Sequence, residues 1–271
     1  MDLLKKGRRM GMLNMRKPIL SLVGLLAVVS LVGCQQAEGK KGNSKELSQE
    51  QIIDKGLQAF EHLKDGEIKL ESKIERKFSE PTSDGDTHAV YTLTFEGSFE
   101  LKPVRVRGLY TNNGTSQEEY YDAFHEYSRP KDSSEWEMFS YSQENKQPVG
   151  VNQEAIRFFQ TQKDKFEVTK KKDQYVLTYK SKDVNHLLEP NNAVLQGPVP
   201  IGVSYFENSE GSYQIDLIVS KENLTPLGVT YTCTSNSSFA KEKLTCKITY
   251  SKQNTGVQVE VPEAVEKLGG I

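Results

Sequence analysis

The stretch "SQEQIIDKGLQAFEHLKDGEIKLESKIERKF", Ser48 to Phe78, changes its hydrophobic period once, and that change sets the fold class. Ile52, Ile53, Leu57, Phe60 and Leu63 recur at helical spacing and make one apolar stripe. Ser48 is an N-cap residue with Gln51 three positions on, a capping-box pair, and Leu47 and Ile52 are placed as a hydrophobic staple. A helix is therefore predicted from Ser48 to Lys64, stopped by Asp65 and Gly66. The period then becomes two: Ile68, Leu70, Ile74 and Phe78 alternate with Lys69, Glu71, Lys73, Glu75 and Lys77. Such alternation belongs to a strand with one buried face and one solvated face.

Working outward, the same strand rhythm recurs in "HAVYTLTFEG", "FELKPVRVRGLY", "EEYYD", "HEYSRP", "WEMFSYS", "KFEVTKK" and "QYVLTYKSK". The separators "SEPTSDGD", "TNNGTS" and "RPKDSSE" are turn chemistry. In "FELKPVRVRG" the apolar positions move from Phe99 and Leu101 to Val104 and Val106, a phase slip beside Pro103 that predicts a bulge or an edge. "NQEAIRFFQTQK" from Asn152 reads as an amphipathic helix, "DVNHLLEP" as a helical turn stopped by Pro190, and Asn191 to Gly202 as loop. The expected class is α+β: an N-terminal amphipathic helix and a mostly antiparallel sheet, with one or two helices inserted mid-chain.

Near the C-terminus, two cysteines test a hairpin register. Placing Cys233 opposite Cys246 sets Tyr231 against Ile248 and Val229 against Tyr250, with Thr230, Thr232 and Thr234 facing Thr249, Lys247 and Thr245 on the other side. One face is then apolar and the other polar, as a one-sided sheet requires. In an exported chain that register predicts a Cys233–Cys246 disulfide closing a loop worth about 3 kcal/mol. Two reduced core thiols are the other reading. Neither is catalytic, because the C-x-x-C spacing is missing.

Export itself is read from the N-terminus. Lys5, Lys6, Arg8, Arg9, Arg16 and Lys17 precede "ILSLVGLLAVVSLVG", Ile19 to Gly33, a basic region and an apolar core of signal-peptide length. Met10, Met12 and Met15 are alternative starts that keep Arg16, Lys17 and this core. Leu31, Val32, Gly33 and Cys34 resemble the lipobox of bacterial lipoproteins, in which the thiol takes a diacylglyceryl group and the peptide is cut before the cysteine. The expected organisation is a signal peptide at 1–33, a flexible tether at 34–46 without large apolar side chains, and one domain at 47–271. Two acyl chains hold a protein stably on a membrane, so the implied address is the extracytoplasmic face of the cell membrane. Leu47 is thirteen residues from Cys34, a reach of at most about 45 Å. Loss of 1–33 removes six basic residues and one acid, taking the formal charge from −2 to −7. A chain so acidic is not built to coat nucleic acid.

Helix first, then an antiparallel meander interrupted by helices, then more meander, resembles the LolA/LppX-like lipoproteins, including Gram-positive members. The helix Ser48 to Lys64, "EEYYDAFHEYSRP" with "SSEWEMF", the hairpin "SYQIDLIVSKENLTPLGVTYT" and the closing "VQVEVPEA" carry the likeness. It covers nearly all of the mature chain and departs from the carriers in the charge on its strands, at Arg105 and Arg107 for example. The resemblance implies a strongly curved half-barrel sheet wrapped around its helices, with space for acyl chains. Leu93, Phe95, Phe99 and Leu101 on the strands, with Ile156 and Phe159 on the middle helix, are the expected lining.

Signs of chemistry are few. His62, His88, His125 and His186 lack metal-ligand spacing, and neither a nucleophile elbow nor a phosphate loop occurs, so no enzyme and no cofactor is expected. His125 lies among Glu118, Glu119, Asp122 and Glu126, which reads as a cation site or as solvated hairpin faces. Lys163 to Lys182 carries seven lysines against three acids, read as solvated strand ends or as a contact for anionic lipid or wall polymer. Trp136, Tyr120, Tyr121 and Tyr127 are placed for core packing or for a groove. The first functional expectation is binding or transfer of a lipid or other lipophile. An envelope protein docking a protein or wall polymer on its sheet surface is the alternative, and a hydrolase ranks third. Cys34→Ala is expected to leave an uncleaved precursor or a protein released from cells, read by membrane fractionation. An unchanged membrane-bound distribution would overturn the lipoprotein reading.

Overall fold

The computed structural model describes residues 46–140, 153–182 and 210–269. The expected signal peptide at 1–33, the anchor Cys34, the tether up to position 45, the turn at 183–190 and the loop at 191–202 lie outside the described residues. Helix α1 (Gln49–Glu61) begins where its cap was read: Gln51 N donates to Ser48 Oγ at 3.2 Å and Ser48 N to Gln51 Oε1 at 3.0 Å. Its stripe of Ile52, Ile53, Leu57 and Phe60 is buried. Gly56 is on that face because a Cβ there would stand 2.9 Å from Leu177 Cδ2, so the helix comes down onto the sheet at this point.

The eleven strands among the described residues form one open antiparallel sheet, ordered β6-β5-β4-β3-β2-β1-β11-β10-β9-β8-β7. The first meander is β1 (Asp65–Phe78), β2 (His88–Leu101), β3 (Val104–Asn112), β4 (Thr115–Asp122), β5 (His125–Pro130) and β6 (Glu137–Ser140). The second is β7 (Glu167–Lys170), β8 (Gln174–Ser181), β9 (Glu210–Ser220), β10 (Pro226–Asn236) and β11 (Ala240–Ser251). Helix α2 (Gln153–Thr161) and a 3₁₀ turn (Lys163–Lys165) lie between them. The two meanders join where β1 pairs with β11, from Glu67↔Ser251 to Phe78↔Ala240. β6 and β7 are opposite edges of the sheet, and α2, between them in the chain, packs against α1. The chain thus has the α+β architecture of an N-terminal helix on a largely antiparallel sheet.

Two expectations change. The phase slip at Pro103 is neither bulge nor edge: β2 and β3 pair from Leu101↔Val104 onward, and Lys102–Pro103, joined by a cis peptide bond, is the turn of a hairpin. A tight turn reverses the chain and resets the alternation just as a bulge would in the sequence pattern. In the β10–β11 hairpin the register lies two residues from the expected one: Cys233 faces Leu244, and Tyr231 faces Cys246. A slip of two keeps every side chain on its face, so alternation could not discriminate. Closure of the turn decides it, with Ser237 Oγ accepting from Phe239 N at 3.2 Å and Ala240 N at 3.1 Å.

Beneath α1 and α2, one apolar cluster runs across the sheet from Tyr121 and Val106 on one side, through Phe95, Phe99, Ile68, Leu70, Ile248 and Tyr231, to Ile215 and Leu177 on the other. Phe99 is fully buried and meets Tyr250 edge-on at 6.1 Å between ring centroids. Phe99→Ala is expected to cost about 3–5 kcal/mol in urea unfolding. A loss under about 1 kcal/mol would mean that the ring borders open space rather than filled core.

Candidate functional site

The opposite face of the first meander is partly roofed by the C-terminal segment, and the site follows from how that roof is fastened. Asp65 Oδ1, where α1 gives way to β1, accepts from the backbone N–H groups of Thr255, Gly256 and Val257 at 3.0, 2.9 and 3.0 Å. Lys64 N donates to Asn254 Oδ1 at 2.7 Å, and Asn254 holds φ 56°, a left-handed conformation that asparagine tolerates. The turn aims residues 257–262 across β2 and β3. There Val259 N donates to Glu100 Oε2 at 2.8 Å and Arg107 Nη1 reaches the Glu260 carbonyl at 3.5 Å. Pro262 then starts the short helix α3 (Glu263–Gly269), whose Val265 N donates to the Pro262 carbonyl at 2.8 Å. Val259 and Val265 pack on Tyr120, Tyr127 and Trp136 in a second apolar cluster.

Beside this strap lies a groove of about 560 Å³, lined by Ser98, Arg107, Leu109, Glu118, Lys131 and residues 258–260 over a floor of Gly97 and Gly108. The two glycines face each other across β2 and β3. A Cβ on Gly108 would stand 2.6 Å from Phe95 Cζ, so the inner-face ring fills that space and the strands twist tightly there. Leu109 is 40% exposed and gives the groove an apolar wall. Beside it, since Leu109 pairs with Glu118 across β3 and β4, the lining is charged: Glu118 accepts from Arg107 through Nε and Nη2 at 3.2 and 2.9 Å, and from Arg129 through Nε at 2.9 Å and Nη2 at 2.5 Å. Burial alone would raise the Glu118 carboxyl pKa, but the two guanidinium groups outweigh it and hold it below the usual range. Arg129 also stacks on Trp136 at 5.0 Å. Two arginines on one carboxylate leave a positive surplus in this lining.

The six residues expected to line an acyl space lie on the other side of the sheet. Phe95, Phe99, Ile156 and Phe159 belong to the buried cluster, with Leu93 and Leu101 packed against it, and none of the six borders the groove. Cys233 and Cys246 are buried free thiols, a correction to the expected disulfide. In the actual register they are diagonal neighbours, for which Cα separations run about 7–8 Å, beyond ordinary disulfide reach. Burial pushes their pKa values to about 11 and about 12, which keeps them protonated and unreactive. The acidic segment around His125 divides between the faces. Asp122 and Glu118 lie on the strap side, with His125 Nδ1 at 3.1 Å from Asp122 Oδ1, whereas Glu119 and Glu126 lie on the helix side. Among the described residues no group of three side chains is disposed to hold a metal ion. Trp136, Tyr120 and Tyr127 do pack beneath the strap, with the Tyr127 hydroxyl buried and without a hydrogen-bond partner among the described residues. Sequence reasoning missed the groove because its lining comes from β2, β3, β4 and the C-terminal segment, and no local spacing announces such a set.

Residues 48–268 match a family of unknown function, DUF6612. The chain belongs to this family. The match begins at the N-cap of α1 and ends within α3, so the family unit is the helix, sheet and strap just described. No curated protein matches the chain. Among the described residues no helix is long and apolar enough to cross a membrane.

Glu119 gives the fold a measurable pH dependence. It is 2% exposed and accepts from the Tyr121 hydroxyl and from Gln117 Nε2 at 2.8 Å, with no cation paired to it among the described residues. Burial, with a smaller push from Glu126, raises its pKa from 4.5 to about 7. Between those values the folded chain holds a proton that the unfolded chain has released, so stability falls as pH rises through this window. The loss is on the order of 3 kcal/mol once both states are ionised. Glu119→Gln, which still accepts from Tyr121, is expected to flatten the fall in urea stability between about pH 5 and about pH 8. An identical fall in parent and variant would overturn this assignment.

Proposed function

We propose that this chain is a lipid-anchored protein of the extracytoplasmic membrane face that works by binding, and that its ligand is a lipid or another amphiphile held in the groove under the C-terminal strap. The observation that carries the reading is the exposed apolar side chain of Leu109 beside the charged Arg107, Glu118 and Lys131, around a space of about 560 Å³ that the strap borders at Val259. Pockets for small ligands run about 300–1,000 Å³ and combine apolar surface with a few placed polar groups. The lipobox-like Leu31 to Cys34 supports the address. A curved half-barrel of the LolA/LppX kind, with a second apolar space between helices and sheet, is the family-level form of the same proposal. The packing of Phe95, Phe99, Ile156 and Phe159 favours the outer groove over that inner space. A protein or wall-polymer partner on the same face is the second reading, favoured by the Arg107–Glu118–Arg129 network that rims an open groove.

The test is mass spectrometry of lipid co-purifying with the exported, anchor-free domain. Leu109→Trp fills the groove from an exposed position, so it is expected to remove bound lipid while changing stability by less than about 0.5 kcal/mol. Lipid retained at parental levels would place the ligand elsewhere. A parent protein that carries no lipid would leave the docking reading in its place.

A further inference from the structure

The chain enters the domain beside a basic surface assembled from two separate turns. Glu46, twelve residues after Cys34, pairs with Lys170 Nζ at 2.7 Å, and Gln49 Nε2 donates to the Phe166 carbonyl at 3.1 Å. Lys170 ends β7 and is followed by Lys171 and Lys172 in the turn to β8, all three exposed. The turn after β9 docks on this one, with Lys221 N donating to the Asp173 carbonyl at 3.0 Å and Lys221 Nζ over the Tyr175 ring at 6.0 Å. Lys170 and Lys221 both hold the Glu46 carboxyl below its ordinary range. The two adjoining turns thus carry four lysines, Lys170, Lys171, Lys172 and Lys221, with three acids, Glu46, Asp173 and Glu222. The surplus is one positive charge, on a chain whose formal charge after Gly33 is −7.

We propose that this end of the domain faces the membrane: Lys171, Lys172 and Lys221 rest on anionic phospholipid headgroups, while Lys170 fixes the incoming chain between them and the anchor. The proposal rests on the anchored reading given above. Twelve residues reach at most about 43 Å, so the point where the tether joins the domain is held near the bilayer. An acidic body is repelled by an anionic surface, and the basic turns are a part that such a surface attracts. The outer end of the strands, where β11 starts at Ala240, then points away from the membrane.

The test uses the chain from Cys34 onward, coupled through the Cys34 thiol to a maleimide-bearing lipid. Cys233 and Cys246 are buried and do not compete. Lysine acetylation rates, read by mass spectrometry, are compared on phosphatidylcholine vesicles with and without phosphatidylglycerol. Lys171, Lys172 and Lys221 are expected to react about threefold or more slowly on the anionic vesicles, while Lys241 and Lys243 at the far end of β11 are unchanged. The protection is expected to vanish in about 1 M NaCl, where the Debye length is about 3 Å. The triple variant Lys171→Glu, Lys172→Glu, Lys221→Glu is expected to lose the protection of Lys170 as well. Equal rates on both vesicle types would overturn the proposal, and so would equal protection in solution by soluble polyphosphate, which would assign the turns to an anionic polymer. The coupling is chemical, so the result does not depend on acylation in the cell, which the Cys34→Ala experiment decides separately.

Discussion

The β1–β11 ladder holds the domain together. It joins the first strand of the sheet to the last, residues more than 160 apart in sequence, over the register Glu67↔Ser251 to Phe78↔Ala240. Within each meander every strand pairs with the strand that follows it in the chain. Only this pairing makes one sheet of the two and gives α1 and α2 a continuous apolar floor. Loop closure over such a span is costly in entropy, and the inner face of the ladder offsets it with Ile68, Leu70, Ile248 and Tyr250 from the two strands. Arg76 and Glu242 pair across the same ladder, with the guanidinium 5.6 Å from the Tyr91 ring centroid. Because the ladder ends at Ser251, it also sets where the chain leaves the sheet and hence where the strap begins.

The strap depends on that exit. Asp65 stands at the first position of β1, next to the end of β11, and its carboxylate gathers three backbone N–H groups of residues 255–257. Charge-assisted hydrogen bonds of this kind contribute about 1.5–3 kcal/mol each. One side chain thus ends the helix–strand junction, closes the turn after β11 and directs residues 257–260 over the groove. Glu100 and Arg107 continue the same fastening, so the outer face of β2 and β3 is both the roof's support and the groove's wall. The groove is built on strands, with Arg107, Glu118 and Arg129 held in ion pairs, rather than on a free loop.

Much of this was legible in the residues. The cap at Ser48, the stripe of α1 and the alternation of β1 depend on neighbours a few positions away, and they stand where periodicity put them. The middle helix and most strand segments did so as well, with turn residues marking the breaks, while "FELKPVRVRGLY" divides between β2 and β3. The hairpin at Cys233 and Cys246 shows the limit. Alternation put Val229, Tyr231 and Cys233 on the buried face, yet a two-residue slip satisfies the same pattern, and the hydroxyl of Ser237 settles which slip occurs. At Pro103 a turn and a bulge leave the same phase change, and only the pairing of Leu101 with Val104 separates them.

What the sequence determined by itself was local: the helix and its cap, the strand faces, and, as expectations, the leader and its cysteine. The tertiary structure alone decided which faces met. It made core of Phe95, Phe99, Ile156 and Phe159, opened a groove between Leu109 and Arg107 on the opposite face, and gathered Glu46, Lys170, Lys172 and Lys221 at one end. The physical reason is range. Period and capping act within a turn or two of the chain, whereas a groove or a charged end is the sum of contacts between residues separated by tens to hundreds of positions, fixed only when β1 and β11 pair.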